Sequence, residues 1–124
     1  MKATDFTTLQ LERIDQVLRV TIAHPTSPLN AVDDQLHHDL TAFFDGLKRE
    51  TDARAVVLTG RGRAFSAGGD FNWFPQLREM GRLDALRRDA KQMIWDLLDV
   101  EIPIVAAVNG HAMGLGASIA FSVM

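Results

Sequence analysis

Two glycine-punctuated stretches hold the residues best spaced for chemistry. The first, Ala64-Phe65-Ser66-Ala67-Gly68-Gly69-Asp70, follows the apolar run Ala55 to Thr59. The second, Asn109-Gly110-His111-Ala112-Met113-Gly114-Leu115-Gly116-Ala117, follows the apolar run Ile104 to Val108. Each pattern predicts a buried strand that breaks at glycines and enters a helix. Two such exits side by side can aim backbone N–H groups at one point, which holds an oxygen gaining negative charge without a charged side chain. The amides of Ala67 and Leu115 are the candidate donors, and Gly68, Gly69, Gly114 and Gly116 let the backbone approach a ligand closely. Removing one such donor costs ~3 kcal/mol of transition-state stabilisation in measured enzymes. On spacing alone a second reading is favoured: tight strand-to-helix turns with no ligand at all.

Other candidates are thinner. No Gly-Lys-Ser/Thr follows Gly60 or Gly62, so there is no phosphate-binding P-loop. Ile119 stands where a dinucleotide fingerprint needs Gly or Ala. Ser66 in Phe65-Ser66-Ala67-Gly68 is a candidate nucleophile, but an elbow serine sits directly after its strand, and Gly60 to Arg63 intervene here. His37 and His38 are adjacent and point to different sides of a helix, and His24 and His111 lack a carboxylate at ligand spacing, so no metal site is expected. Asp70 can hydrogen-bond the backbone of its own loop or act in catalysis. Arg61 and Arg63 are either solvated or positioned for phosphates. Trp73 and Phe74 are either core or the lining of an acyl pocket.

These residues need elements to position them. Leu9 to Ile14 and Val17 to Ile22 alternate in type around Asp15-Gln16 and predict a hairpin. Two prolines, Pro25 and Pro28, forbid helix before Asn30. Val32, Leu36, Leu40, Phe43, Phe44 and Leu47 form a helical stripe, with Asn30 as its expected cap and Asp33, Asp34, Asp39, Lys48 and Arg49 toward water. Phe71 to Pro75 is expected to be irregular. A second stripe runs from Leu83 to Leu98, and Pro103 opens the strand Ile104 to Val108. The predicted order is β-β-α-β-α-β-α. The run from Gly114 to Met124 has no polar face, which predicts a helix buried by something further.

The 124 residues suit one small domain, 47% apolar and 23% charged. A net charge of −3 without basic clustering argues against nucleic-acid binding. There are no cysteines, hence no disulfides or thiolate metal sites. No run approaches the ~20 apolar residues of a membrane span, and the first residues do not form a signal peptide, so a soluble, cytoplasmic protein is expected.

Three stretches together resemble the crotonase, or enoyl-CoA hydratase/isomerase, superfamily. His24-Pro25 through Leu29-Asn30-Ala31-Val32 is similar to the family's entry to its first helix. Val56 to Asp70 is similar to its Leu-x-Gly-x-Gly-x-x-Phe-x-Ala-Gly-x-Asp loop. Ile102 to Gly110 with Gly114-Leu115-Gly116 is similar to its Pro-x-Ile-Ala-Ala-Val-x-Gly segment and triple glycine. The resemblance implies an α/β fold, a crotonase-like spiral of β-β-α units, of which residues 1–124 are the N-terminal portion. It implies an acyl-CoA thioester as substrate without a separate cofactor, and oxyanion donors at Ala67 and Leu115. Ser66, Gly68, Gly69, Asp70 and Gly114 would contact the thiol arm, and Asn30 and Ala31 would lie near the nucleotide end. A homotrimer or hexamer is implied for a full-length chain.

Two positions depart from the family pattern. Leu115 replaces its middle glycine. Ser118 replaces its first glutamate, and a hydroxyl cannot act as a carboxylate base near neutral pH. The expected function is an enoyl-CoA hydratase/isomerase-type enzyme that stabilises a thioester enolate, with efficient hydration disfavoured. The alternatives are a non-catalytic acyl-CoA-binding or assembly subunit, and a serine hydrolase using Ser66.

Overall fold

Apolar alternation and β-branched side chains place four strands in one sheet of order β1-β2-β3-β5: β1 Leu9–Ile14, β2 Val17–Ile22, β3 Ala55–Gly60 and β5 Ile104–Ala107. The computed structural model describes residues 1–123. β1 and β2 pair antiparallel as the predicted hairpin, with Asp15 at a φ of +52° in the turn. β2, β3 and β5 run parallel, in a register that sets Val20 beside Leu58 and Leu58 beside Ala106. Parallel neighbours need crossover connections, and the helices supply them.

Helix α1 (Asp34–Leu47) connects β2 to β3 and buries Leu36, Leu40, Phe43, Phe44 and Leu47. Each such side chain contributes about 1.5–3 kcal/mol on leaving water. The cap is Asp33, whose carboxylate accepts from the Leu36 N–H at 3.0 Å; the expected cap, Asn30, lies outside the helix and has another task. Asp39 was expected on the water side and is instead buried. It accepts hydrogen bonds from the Thr7 and Thr8 amides and the Thr8 hydroxyl at 2.7–2.9 Å, tying the N-terminal segment to α1.

Beyond β3 the structure has more regular elements than the spacing predicts. Strand β4 (Ala64–Ser66) pairs in parallel with β6 (His111–Ala112) in a separate two-stranded sheet. Residues 73–75, expected to be irregular, open helix α2 (Trp73–Glu79). Pro75 is tolerated because it lies in the first turn, where its missing N–H has no partner to lose. Helix α3 (Leu83–Leu98) packs along α1, with Met93 and Leu97 buried. Helix α4 (Leu115–Ser122) buries Gly116 and Ile119 yet leaves Phe121 90% exposed, so its apolar outer face is uncovered. Among the described residues no helix is long and apolar enough to cross a membrane.

Candidate functional site

The pairing of β4 with β6 brings the two glycine-rich exits into contact. The Met113 N–H donates to the Ser66 carbonyl at 3.0 Å. Gly68 has a φ of +82°, and a Cβ there would stand 2.7 Å from the Met113 carbonyl oxygen, so only glycine fits. A Cβ on Gly114 would lie 4.0 Å from the Gly69 nitrogen. The loop before α2 and the N-terminus of α4 therefore abut.

Asn30 builds the floor beneath them. It is buried. Its Oδ1 accepts from the His24 amide at 3.0 Å. Its Nδ2 donates to the carbonyls of Arg61, Ala64 and Phe65 at 3.2–3.3 Å. Its own carbonyl accepts from the Ser66 hydroxyl at 2.7 Å. Ala31 is half-buried, with its amide bonded to the Ser27 hydroxyl. The side-chain polar atoms of Asn30, expected near the nucleotide end of a ligand, are all bonded to the loop itself.

The same stitching corrects the expected donor at Ala67. Its N–H donates to the Leu29 carbonyl at 3.0 Å, facing the scaffold. In the same loop the Val32 amide donates to Gly68 and the Asp70 amide donates to Val32. Extended pairing alternates the direction of successive amides, and the unpaired one is Gly69. Among the described residues neither the Gly69 nor the Leu115 N–H makes a hydrogen bond. Leu115 opens α4, where the first amides have no intrahelical partner and carry the positive end of the helix dipole.

Asp70 accepts from the Asn72 amide at 2.8 Å and shapes the turn into α2. Ser66 is buried, its hydroxyl donating to the Asn30 carbonyl at 2.7 Å and accepting from the Gly68 amide at 3.4 Å, and among the described residues no base bonds it. Ser118 is exposed, its hydroxyl donating to the Gly114 carbonyl at 3.2 Å. Arg61 is exposed, and its guanidinium donates to the His24 carbonyl at 2.9 Å. Trp73 is core, its indole N–H bonded to Asp34 at 2.8 Å, whereas Phe74 is half exposed beside Gly69.

Two positioning residues carried no assigned role in the sequence reading. Asn109 accepts from the Gly60 amide at 3.0 Å and donates to the Gly62 and Ala64 carbonyls, fixing the β3 exit from the β5 side. Its signal is the Asn-Gly pair directly after a strand. His24 receives the Thr26 and Ser27 amides at Nδ1, so its ring proton sits on Nε2 and bonds Asp33 at 2.7 Å. Burial pushes the Asp33 carboxyl up, but the bonds from Leu36 and His24 outweigh it and hold the group below its ordinary range.

A groove of about 400 Å³ opens beside Leu115, lined by Ala90, Lys91, Ile94 and Trp95 of α3 and by Leu115 and Ser118 of α4. A larger groove of about 460 Å³ lies between α1, α2 and α3, away from both exits; His37 lines it. Among the described residues no group of side chains could hold a metal ion.

A family model described as Enoyl-CoA hydratase/isomerase matches residues 12–123. A solved enoyl-CoA hydratase/isomerase from Mycobacterium paratuberculosis superposes with a TM-score of 0.88 and 36% identity, covering 97% of this chain and 49% of that one. The "Probable enoyl-CoA hydratase, mitochondrial" of Dictyostelium discoideum is 32% identical over 115 residues, 93% of this chain and 40% of the relative. The 2,3-dehydroadipyl-CoA hydratase of Escherichia coli is 32% identical over 115 residues, 90% of this chain and 42% of the relative. The chain spans less than half the length of these relatives.

Proposed function

Because the chain belongs to the enoyl-CoA hydratase/isomerase family, we propose that its two abutting exits bind the thioester carbonyl of an acyl-CoA between the amides of Gly69 and Leu115. As electrons move from the α-carbon toward that carbonyl, its oxygen gains charge. Two fixed N–H groups stabilise it without reorganising. The single observation that carries this reading is that the Gly69 and Leu115 amides, both without a hydrogen bond among the described residues, stand on neighbouring segments joined by the β4–β6 pairing. Gly69 takes the role first expected of Ala67, because the Ala67 N–H is already bonded.

The rest of the chemistry needs a group to move a proton. Ser118 offers none near neutral pH. The residues described here therefore supply the electrostatic half of an enolate-forming enzyme, and hydration is slow. A second reading follows from the same position: without a carboxylate at residue 118, the chain is an acyl-CoA-binding subunit that polarises a thioester and turns nothing over.

An acyl-CoA labelled with ¹³C at the thioester carbonyl tests the shared element. On binding, the carbonyl resonance moves downfield, because hydrogen bonds to the oxygen deplete the carbon of electrons. Saturable binding with an unmoved resonance rejects the two-amide site. Turnover of enoyl-CoA thioesters then separates the enzyme from the binding subunit.

A further inference from the structure

We propose that the groove between α3 and α4 takes an acyl group that itself carries a carboxylate, and that Lys91 recognises it. This rests on the reading that the Leu115 amide helps hold the thioester oxygen. Leu115 is the shared member: its amide belongs to the donor pair, and its side chain lines the groove. An acyl chain leaving the held carbonyl runs into that groove.

The wall is apolar at Ala90, Ile94, Trp95 and Leu115, which suits methylene groups. Its polar members are Ser118 and Lys91. The Ser118 hydroxyl is turned back on the Gly114 carbonyl, and among the described residues Lys91 is the only charged side chain in the wall. Among the described residues Lys91 forms no ion pair.

The charges of α3 are sorted by face. Asp96 points toward α1, where it bonds Lys48 at 2.7 Å. Asp89 lines the groove on the α1 side. Asp84 is taken by Arg87. Arg88, one turn before Lys91, has no carboxylate partner among the described residues. The N-terminus of α4 adds a positive dipole end to the same groove.

A hydrocarbon end gains nothing from this ammonium, whereas a carboxylate end gains a charge-assisted hydrogen bond. Ser118 contributes through what it lacks. A glutamate at that position would set a negative charge in the wall facing Lys91 and oppose an anionic acyl group. The serine leaves the groove with one net positive charge.

Calorimetric titration of the 124-residue chain with adipoyl-CoA and hexanoyl-CoA tests the proposal. The two acyl chains have equal length and differ in ending as carboxylate or methyl. Adipoyl-CoA is expected to bind three- to tenfold more tightly, with the preference shrinking at high salt. Lys91→Met keeps an apolar stem and removes the charge; it is expected to abolish the preference and leave hexanoyl-CoA within twofold. Equal affinities in the parent chain, or a preference unchanged in Lys91→Met, overturn the role of Lys91 and leave the thioester reading standing. Failure of both ligands to bind overturns the thioester reading, and this inference with it.

Discussion

The backbone of Gly116 lies against that of Ser66 so closely that a methyl group on Gly116 would collide with the Ser66 carbonyl oxygen. This contact joins the N-terminus of α4 to the end of β4. It sets the separation of the two exits whose amides are proposed to share one oxygen.

Gly116→Ala therefore sets two effects against each other. Alanine favours helix over glycine by about 1 kcal/mol. Overpacking against a paired strand costs about 1–3 kcal/mol, and neither backbone can yield cheaply. The overlap wins: urea denaturation is expected to show a net loss of about 1 kcal/mol. Acyl-CoA affinity falls as α4 is pushed off β4. A variant as stable as its parent would mean that the exits are loosely coupled.

Asn30→Ala removes four hydrogen bonds at once. It leaves the carbonyls of Arg61, Ala64 and Phe65 without this donor and the His24 amide without its acceptor. Buried unsatisfied groups cost about 1–3 kcal/mol each, partly relieved when water enters. The expected loss is about 2–4 kcal/mol by chemical denaturation. A change below about 0.5 kcal/mol would show that the floor of the site is held elsewhere.

The contrast between α1 and the loop explains what was legible beforehand. Leu36, Leu40, Phe43 and Leu47 repeat at helical spacing, so the sequence alone places them on one buried face. The β1–β2 hairpin and the parallel run of Val56 and Leu58 are equally local signals. The site is not local. Whether the Ala67 or the Gly69 amide is left unpaired depends on where the Leu29 carbonyl sits, which adjacency in sequence does not reveal. Asp39 shows the same limit: a carboxylate on a helix reads as solvated until the Thr7 and Thr8 amides arrive from a distant segment. Helix α2 was missed because Pro75 reads as a breaker unless the helix start is already known.

Acid sensitivity is expected from Glu50. The Arg13 guanidinium hydrogen-bonds its carboxylate at 2.7 Å and holds the pKa below the ordinary value. The folded pKa lies below the unfolded one, so this contribution is fully present above ~4.3 and is lost as pH falls through the folded value. Glu50→Gln removes that part of the pH dependence. Stability measured between pH 7 and pH 3 should fall less steeply in the variant. An unchanged slope would assign the acid response to other carboxylates such as Asp33, also held below its ordinary range.

His37 is a stability defect that can be removed. It is buried beside Trp73, its ring 5.7 Å from the indole, and its Nε2 has no partner among the described residues. Burial pushes its pKa down, outweighing the nearby charges of Asp89 and Asp34, so the imidazole is neutral when folded. The unfolded chain takes up the proton more readily, and stability is lost as pH falls from ~6.5 toward the folded value. His37→Phe keeps a ring against Trp73 and removes the orphaned nitrogen. Thermal and urea unfolding at pH 6 should show a gain of about 1 kcal/mol, smaller at pH 8. Equal gains at both pH values would assign the benefit to packing alone.

Ser118→Glu tests what the serine costs the chemistry. The side chain projects from an exposed position on α4, one turn beyond the Gly114 carbonyl it now bonds, so a glutamate fits without burial. The N-terminus of a helix also favours a carboxylate. Such a group beside the proposed thioester site could hold water or move a proton, a contribution of about 10²–10⁴ in rate where positioning is good. Crotonyl-CoA hydration, followed as loss of the conjugated thioester absorbance, is expected to be slow in the parent and at least about tenfold faster in the variant. The variant should also bind adipoyl-CoA less tightly, since the new charge faces Lys91 across the groove. Were the parent to hydrate crotonyl-CoA at typical enzyme rates of about 1–10³ s⁻¹, its proton-moving group would have to lie outside the residues that line this groove.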